Sequence, residues 1–169
     1  MANITLTGFE EYEKLLKALQ QDAVKICKAS VYPGAGVVAE KVRAEVTALP
    51  TISDKAAMAN WRNGLKQPSL SDGQKAGLVA SVGISRIRRE PDGSVQASVG
   101  FEGYNGVITR HFPAGQPNPE VARSLEKGTS YLQRDPFMSR AVKAAREEAI
   151  AAMSAEADAQ IARIVENNT

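Results

Sequence analysis

Apolar residues recur at two different spacings along this chain, and the spacing separates the predicted helices from the predicted strands. Near the N-terminus, Thr7 and Glu10 have the spacing of a capping box. Apolar side chains then recur every three or four residues, as they do on one face of a helix: Phe9, Tyr12, Leu16, Leu19, Ala23 and Ile26. This pattern predicts a helix over about residues 8–30. We expect Pro33 to interrupt it, because proline has no backbone donor, and a second helix to follow over about residues 35–48.

The middle of the chain changes to an alternation with a period of two. From Leu78 to Ile84, and again from Val95 to Phe101, apolar residues alternate with small or polar ones, and Pro91-Asp92-Gly93 lies between the two runs. Two alternating runs around such a turn sequence predict a β-hairpin. A short third strand is expected over residues 107–110.

Periodicity fades between about residues 51 and 75, where Gly, Pro, Ser and Asp residues are frequent. The segment is therefore predicted to be a long loop inserted into a single domain that spans residues 1–169. Met58 and Trp61 would anchor one short helical turn within it. Because long loops in compact domains often serve function, we expect this segment, with Met58 and Trp61, to reach a neighbouring subunit.

Two further helices are predicted near the C-terminus, a short one over about residues 120–127 and a long one from Pro136 towards Val165. The long one carries a stripe of mostly small apolar residues: Met138, Val142, Ala145, Ala149, Met153, Ala157, Ile161 and Ile164. The sequence thus predicts an α+β fold. Its small antiparallel β-sheet, the central hairpin, would pack against a long N-terminal helix and a long C-terminal helix.

The residues between these last two helices predict a sharp, well-defined joint. Gly128 is suited to the positive φ that ends many helices. Asp135 is suited to capping the next helix, and Pro136 to its first position, where no N–H is needed. Phe137 then opens the apolar stripe and is expected to anchor in a pocket of a neighbouring subunit.

Composition and charge narrow the classes of function. The chain has 169 residues, enough for one domain with a core, and its 21 basic and 19 acidic residues give a net charge of +2, too balanced for bulk binding of nucleic acid. The single cysteine, Cys27, excludes a disulfide framework within one chain and is predicted to be a small core residue. No apolar run has the length of a membrane span and no signal peptide is visible, so we expect a cytoplasmic site of synthesis.

Few residues have the character of a catalytic or cofactor site. The only histidine is His111, and no serine lies in a nucleophile elbow. One His and one Cys make a transition-metal site improbable. Pro33-Gly34-Ala35-Gly36 lacks the preceding strand, the lysine and the hydroxyl of a phosphate-binding loop. We expect no cofactor and no enzymatic activity; a small hydrolase or toxin-like enzyme that uses His111 remains an alternative.

A group of basic residues offers three interpretations. Arg86, Arg88 and Arg89 lie at the end of the first predicted hairpin strand, and Arg110 lies in the predicted third strand. They could contact a DNA phosphate backbone in a salt-sensitive way. They could instead pair with acidic groups of a neighbour, or protect an edge strand from aggregation.

The order of these motifs resembles a known family, the tail-completion or neck proteins of long-tailed bacteriophages, which are also described as head–tail joining or minor tail components. The likeness rests on Leu125-Glu126-Lys127-Gly128-Thr129, followed after a short gap by Pro136-Phe137 and Ala141. Gly77-Leu78-Val79-Ala80-Ser81-Val82 resembles the family's entry into its hairpin. The inserted segment at about residues 51–75 is longer than in the family.

The resemblance implies a non-enzymatic subunit of the virion that is assembled in the host cytoplasm. Such subunits form a ring, commonly a hexamer, whose partners are other neck, connector and tail-tube proteins, without a membrane. The expected subunit interface comprises Leu125, Glu126, Gly128, Thr129, Pro136, Phe137, Met58 and Trp61. Arg86, Arg88, Arg89 and Arg110 would face the lumen and make passing contact with genomic DNA.

Overall fold

The computed structural model describes residues 9–168 and has an α+β fold, as the sequence predicts. Its elements follow in the order α1 (Glu10–Ala48), β1 (Thr51–Ile52), α2 (Asp54–Arg62), β2 (Leu70–Ser71), α3 (Asp72–Ser81), β3 (Val82–Ile84), β4 (Arg88–Arg89), β5 (Val95–Gln96), β6 (Val99–Phe101), α4 (Asn118–Lys127) and α5 (Phe137–Asn168). None of the helices formed by these residues is long and apolar enough to cross a bilayer.

The prediction that Pro33 separates two helices is wrong, because α1 is one helix of 39 residues with Pro33 inside it. A proline within a helix costs about 3 kcal/mol. We attribute the continuation of the helix to its packing against α5, which is close at the next residue, Gly34. A Cβ on Gly34 would lie 2.5 Å from Met153 Cγ and 3.2 Å from the Ala149 carbonyl oxygen. The absence of a Cβ therefore lets the two helices approach closely at this point. The predicted capping box includes Thr7, which lies outside the described residues.

Helices α1 and α5 run antiparallel, as two ion pairs between them show. Lys41 pairs with Glu148 at 2.9 Å, and Glu45 pairs with Arg140 at 3.0 Å. The buried residues of α1 all lie at or beyond Ser30, and those of α5 all lie at or before Ala149. We call residues 30–149 the body. We call the paired ends of the two helices, residues 10–29 and 150–168, the arm.

The hydrophobic core lies entirely in the body. It is formed by the C-terminal half of α1, by α3 and α4, by β3 and β6, and by the start of α5. The large apolar side chains with less than 2% of their surface exposed are Phe137, Leu70, Leu78, Val42 and Val46. Cys27 does not join them: it is exposed on the arm section of α1, so its predicted burial is wrong.

The predicted hairpin is present, but its first strand is short. Strand β3 pairs antiparallel with β6, with Val82 opposite Phe101, and β4 pairs with β5 nearer the turn. Residues 78–81, which the alternation predicted as the start of the first strand, belong instead to α3. The physical reason is a capping box: Gln74 N donates to Ser71 Oγ and Ser71 N donates to Gln74 Oε1.

Two other predictions for loops and strands need correction. The segment at about residues 51–75 is not a long loop, because it contains β1, α2 and β2 as well as the start of α3, and β1 pairs parallel with β2. The helical turn around Met58 and Trp61 is confirmed as part of α2. Residues 107–110 form no strand; Thr109 and Phe112 exchange backbone hydrogen bonds of 3.1 Å in a tight turn.

Candidate assembly site

The joint between α4 and α5 turns at Gly128, which has φ 74° and ψ 155°. This combination lies in a region that essentially only glycine adopts, and it is more extended than the left-handed helical conformation that the sequence predicted. A Cβ at this position would also lie 2.8 Å from Arg134 Cβ. Positive φ and close packing both restrict this position to glycine.

Glu126 caps the first turn of α5, although it belongs to α4. Its carboxylate accepts from Met138 N at 2.9 Å and from Ser139 N at 3.2 Å, and also from the Ser139 hydroxyl. The first N–H groups of a helix have no partner within the helix, and they carry partial positive charge. A carboxylate held there by a second helix therefore fixes the angle at which α5 leaves α4.

Asp135, predicted to cap α5, has another role. Its carboxylate accepts from Arg140, whose guanidinium also donates to Glu45 at 3.0 Å. The hydrogen bond with Asp135, and to a lesser degree that with Glu45, raises the pKa of Arg140 above its usual range. The three side chains link the joint to α1, and they lie partly in solvent.

The bridge between Gly128 and Asp135 is ordered by short hydrogen bonds. Thr129 Oγ1 accepts from Tyr131 N at 3.2 Å and from Leu132 N at 3.0 Å. Asp135 N donates to the Leu125 carbonyl oxygen at 2.8 Å, which returns the chain to the end of α4. The predicted joint is therefore a closed turn, held by hydrogen bonds of its own backbone and of the Thr129 side chain.

Two of the predicted interface residues fill the chain's own core. Phe137 has no exposed surface and lies 5.9 Å from Phe101, ring centre to ring centre, and Leu125 is also buried. Phe137 therefore does not present an anchor to a neighbour, in contrast with the expectation from sequence. Its position at the start of an apolar helical stripe is equally typical of a core residue, which is why the sequence did not separate the two roles.

Met58 and Trp61 are exposed on α2, and Trp61 has 55% of its surface in solvent. Sequence reasoning missed how α2 is tied to the joint. Gln67 N donates to the Tyr131 carbonyl oxygen at 2.7 Å, Gln133 N donates to the Gln67 carbonyl oxygen at 2.8 Å, and Gln67 Nε2 donates to the Ala57 carbonyl oxygen at 3.3 Å. Gln67 thus connects α2, which carries Met58 and Trp61, to the joint between α4 and α5. No local sequence motif indicates this role of Gln67.

The four arginines predicted to face DNA occupy two places. Arg86, Arg88 and Arg89 are exposed along the hairpin, and Arg110 is exposed in the loop between β6 and α4. None of the four forms an ion pair within 4.0 Å with another of the described residues.

His111 is exposed beside Arg110 in the turn between Thr109 and Phe112. A surface depression of about 410 Å³ lies where the start of α1 meets Asn168, and another of about 470 Å³ lies on the first part of α5; His111 lines neither. Within residues 9–168, no group of three or more His, Cys, Asp or Glu side chains is placed to hold a metal ion.

Comparison of the chain with known protein families, with curated proteins and with solved structures finds no match.

Proposed function

We propose that this chain is a structural subunit of the neck or upper tail of a long-tailed bacteriophage. Copies of it would form a ring, with a hexamer as the expected size, that completes the tail and joins it to the head. It would act in the virion after assembly in the host cytoplasm, beside other neck, connector and tail-tube proteins. It would need no cofactor and catalyse no reaction.

The observation that carries this proposal is the construction of the joint between α4 and α5. The motif residues on which the resemblance rests, Leu125 to Thr129 with Pro136 and Phe137, hold α5 at a fixed angle through the Glu126 cap and the Gly128 turn. Substrate contacts are not needed to explain them. A rigid joint that sets the direction of a 32-residue helix suits a protein whose task is to place one copy beside the next.

The location of the protein in phage particles tests this proposal. An affinity tag after Thr169, labelled with gold, should mark the vertex at which head and tail meet, and native mass spectrometry of detached necks should give a multiple of the subunit mass. Label spread over the capsid, or particles that lack the chain, would contradict the proposal. A monomer in isolation would not, because a ring protein can stay monomeric until it meets its partner.

A second candidate function is contact with DNA, and it is favoured by the four exposed arginines without ion pairs. If they bind phosphates, affinity for duplex DNA should fall steeply with salt. Arg88→Ala combined with Arg89→Ala should reduce that slope by roughly two, one for each phosphate that is no longer neutralised. Binding by the monomer that is unchanged in this variant would exclude the hairpin as the DNA-binding surface.

A further inference from the structure

The end of the arm, with the preceding Phe9, carries an apolar stripe that no other part of residues 9–168 covers. Phe9, Tyr12 and Leu16 recur at helical spacing at the start of α1, and they are 63%, 66% and 66% exposed. The rings of Phe9 and Tyr12 lie 6.3 Å apart. These three residues are called the arm-tip patch. Large apolar side chains gathered in one place are typical of an interaction site.

A second exposed apolar group lies on the body. Met58 and Trp61 are one turn apart on α2, and Leu65 follows directly, with its N–H bonded to the Asn60 carbonyl oxygen at 2.8 Å. The hydrogen bond from Gln67 N to the Tyr131 carbonyl oxygen, 2.7 Å long, places the backbone of Tyr131 beside Gln67, two residues after Leu65. Met58, Trp61, Leu65 and Tyr131, which we call the body patch, are all exposed.

The charges around the two patches are opposite in sign. The arm-tip patch is interleaved with Glu10, Glu11, Glu13 and Lys14; Glu13 pairs with Lys17, whereas Glu10 and Glu11 form no ion pair within residues 9–168. The whole arm has seven acidic against five basic residues. Around the body patch, residues 54–66 have three basic residues against one acidic residue, and the body as a whole has 16 basic against 12 acidic residues. Arg62 and Lys66, which flank Trp61 and Leu65, form no ion pair within the described part of the chain. Complementary potentials of this kind orient an association and fix its register.

The two patches of one molecule are too far apart to meet. Tyr12 and Ala48 are the ends of a helical span of about 54 Å, at 1.5 Å per residue. From Ala48 to Trp61 the chain runs through five residues and then α2, which together can span at most about 34 Å. Even if this segment ran straight back along α1, Tyr12 and Trp61 would remain at least roughly 20 Å apart. Contact between the patches therefore requires two molecules, and it joins different surfaces of each. Such contacts repeat head-to-tail and give a ring when the rotation closes.

We propose that the arm-tip patch of one copy docks on the body patch of the next copy. Phe9 and Tyr12 would pack on Trp61 and Tyr131, while Glu10 and Glu11 face Arg62 and Lys66. This assignment rests on the proposed function in that it supplies the contact from which a ring of identical subunits is built.

Cysteine cross-linking tests the pairing directly. Cys27→Ser removes the native exposed thiol, and Tyr12→Cys with Trp61→Cys then places one thiol in each patch. Under mild oxidation the full chain should form a ladder of dimers, trimers and larger species on a non-reducing gel, because the separation within one molecule is too large for a disulfide. The area of either patch is small, so the experiment requires high protein concentration.

Matched variants distinguish specific docking from random collision. A mixture of the Tyr12→Cys chain with the Trp61→Cys chain should give a mixed dimer and no larger species. Replacing Tyr12→Cys by Tyr32→Cys, at an exposed position of α1 outside the patch, should abolish the ladder. A ladder of equal intensity from the Tyr32 variant would overturn the proposal, as would cross-links only between identical positions.

Charge reversal gives an independent measurement. Two double variants are compared: Glu10→Lys with Glu11→Lys, and Arg62→Glu with Lys66→Glu. Each should weaken self-association at least about tenfold, and the quadruple variant that combines them should recover most of the lost affinity. Unchanged association in both double variants would overturn the proposed pairing. Circular dichroism checks that helix content is preserved.

Failure of this pairing and failure of the phage function are distinguishable. Oligomers of the wild-type chain, with no cross-link in the double-cysteine variant, would disprove the docking surfaces and leave the neck proposal standing. A specific ladder, in a protein that is absent from the head–tail vertex, would disprove the neck proposal and leave the docking surfaces standing. A wild-type chain that stays monomeric at high concentration, together with a double-cysteine variant that gives no ladder, would also overturn the pairing. So would patches that bind only a different phage protein.

Discussion

The body and the arm are built from the same two helices, but different interactions hold them. In the body, α1 and α5 are covered by α3, α4 and the hairpin, and residues such as Val42 and Phe137 have no exposed surface. In the arm, α1 and α5 have only each other, and none of the described side chains between 10 and 29 or between 150 and 168 is fully buried. Most of the stability of a helix in a protein comes from packing of its apolar face, and the arm offers less of that packing than the body. We therefore expect the body to resist unfolding more strongly than the arm does.

The largest expected contrast comes from removing one apolar side chain in each region. Phe137→Ala should lower the free energy of unfolding by about 3–5 kcal/mol, because it leaves a cavity in the core. Leu16→Ala should change it by less than about 0.5 kcal/mol in the monomer, since Leu16 is exposed. Urea denaturation followed by circular dichroism measures both. A similar loss in the two variants would remove the distinction between body and arm.

The joint should be the next most sensitive place. Gly128→Val forces a β-branched side chain into a positive φ and onto Arg134, and we expect it to cost at least about 1–3 kcal/mol. Gly36→Ala is the matched control, because a Cβ there meets nothing within 4 Å, and it should be neutral or stabilising by up to about 1 kcal/mol. Thermal melts of the two variants, Gly128→Val and Gly36→Ala, measure the difference in stability. A Gly128→Val melting temperature equal to that of wild type would contradict the role given to the turn.

The cap that Glu126 provides to α5 should contribute less. Glu126→Ala leaves Met138 N and Ser139 N without their acceptor, and we expect a loss of about 1–2 kcal/mol. Glu120→Ala, in the first turn of α4, is the comparison on the same helix. Amide hydrogen exchange should show faster opening at residues 138 and 139 in Glu126→Ala, and unchanged rates there would argue against the cap.

The smallest expected effect lies at the exposed hairpin turn. Hydrogen bonds from the Ser94 side chain and from Ser94 N lower the pKa of Asp92. A lowered pKa in the folded state means that the ionised carboxylate stabilises the turn at neutral pH. This contribution disappears as the pH falls through the folded pKa. An NMR titration should place the Asp92 pKa below that of a free aspartate, and Ser94→Ala should move it upward; equal values in both chains would contradict the assignment.

Sequence reasoning succeeded where local signals agree with the final environment. The α+β class, α4, α5, the 90–94 turn and the positive φ of Gly128 all follow from caps, glycine and periodicity. It failed where tertiary contacts outweigh a local rule. Pro33 is tolerated because α1 packs on α5, and residues 78–81 alternate like a strand but belong to a helix started by Ser71 and Gln74.

The candidate site was predicted as a set of residues, and its internal arrangement was not. The capping of α5 by Glu126 and the connection through Gln67 both join positions distant in sequence, so no periodicity or spacing reports them. The signal for α3, in contrast, is local: Ser71 and Gln74 have the spacing of a capping box. Burial of Phe137 illustrates the remaining ambiguity, because an aromatic residue at a helix start has the same pattern in a core and in an interface.

The contact at Gly34 sets how far the subunit reaches. Met153 occupies the volume that a methyl group on residue 34 would fill. This close packing of Met153 on Gly34 favours one axial position of α5 along α1. Sliding by one turn, about 5.4 Å, would bring Met153 against Ser30 or Val38, whose side chains leave no such recess. The missing Cβ of Gly34 thus favours one axial alignment of α5 on α1, and with it the extent to which the ends of the two helices overlap.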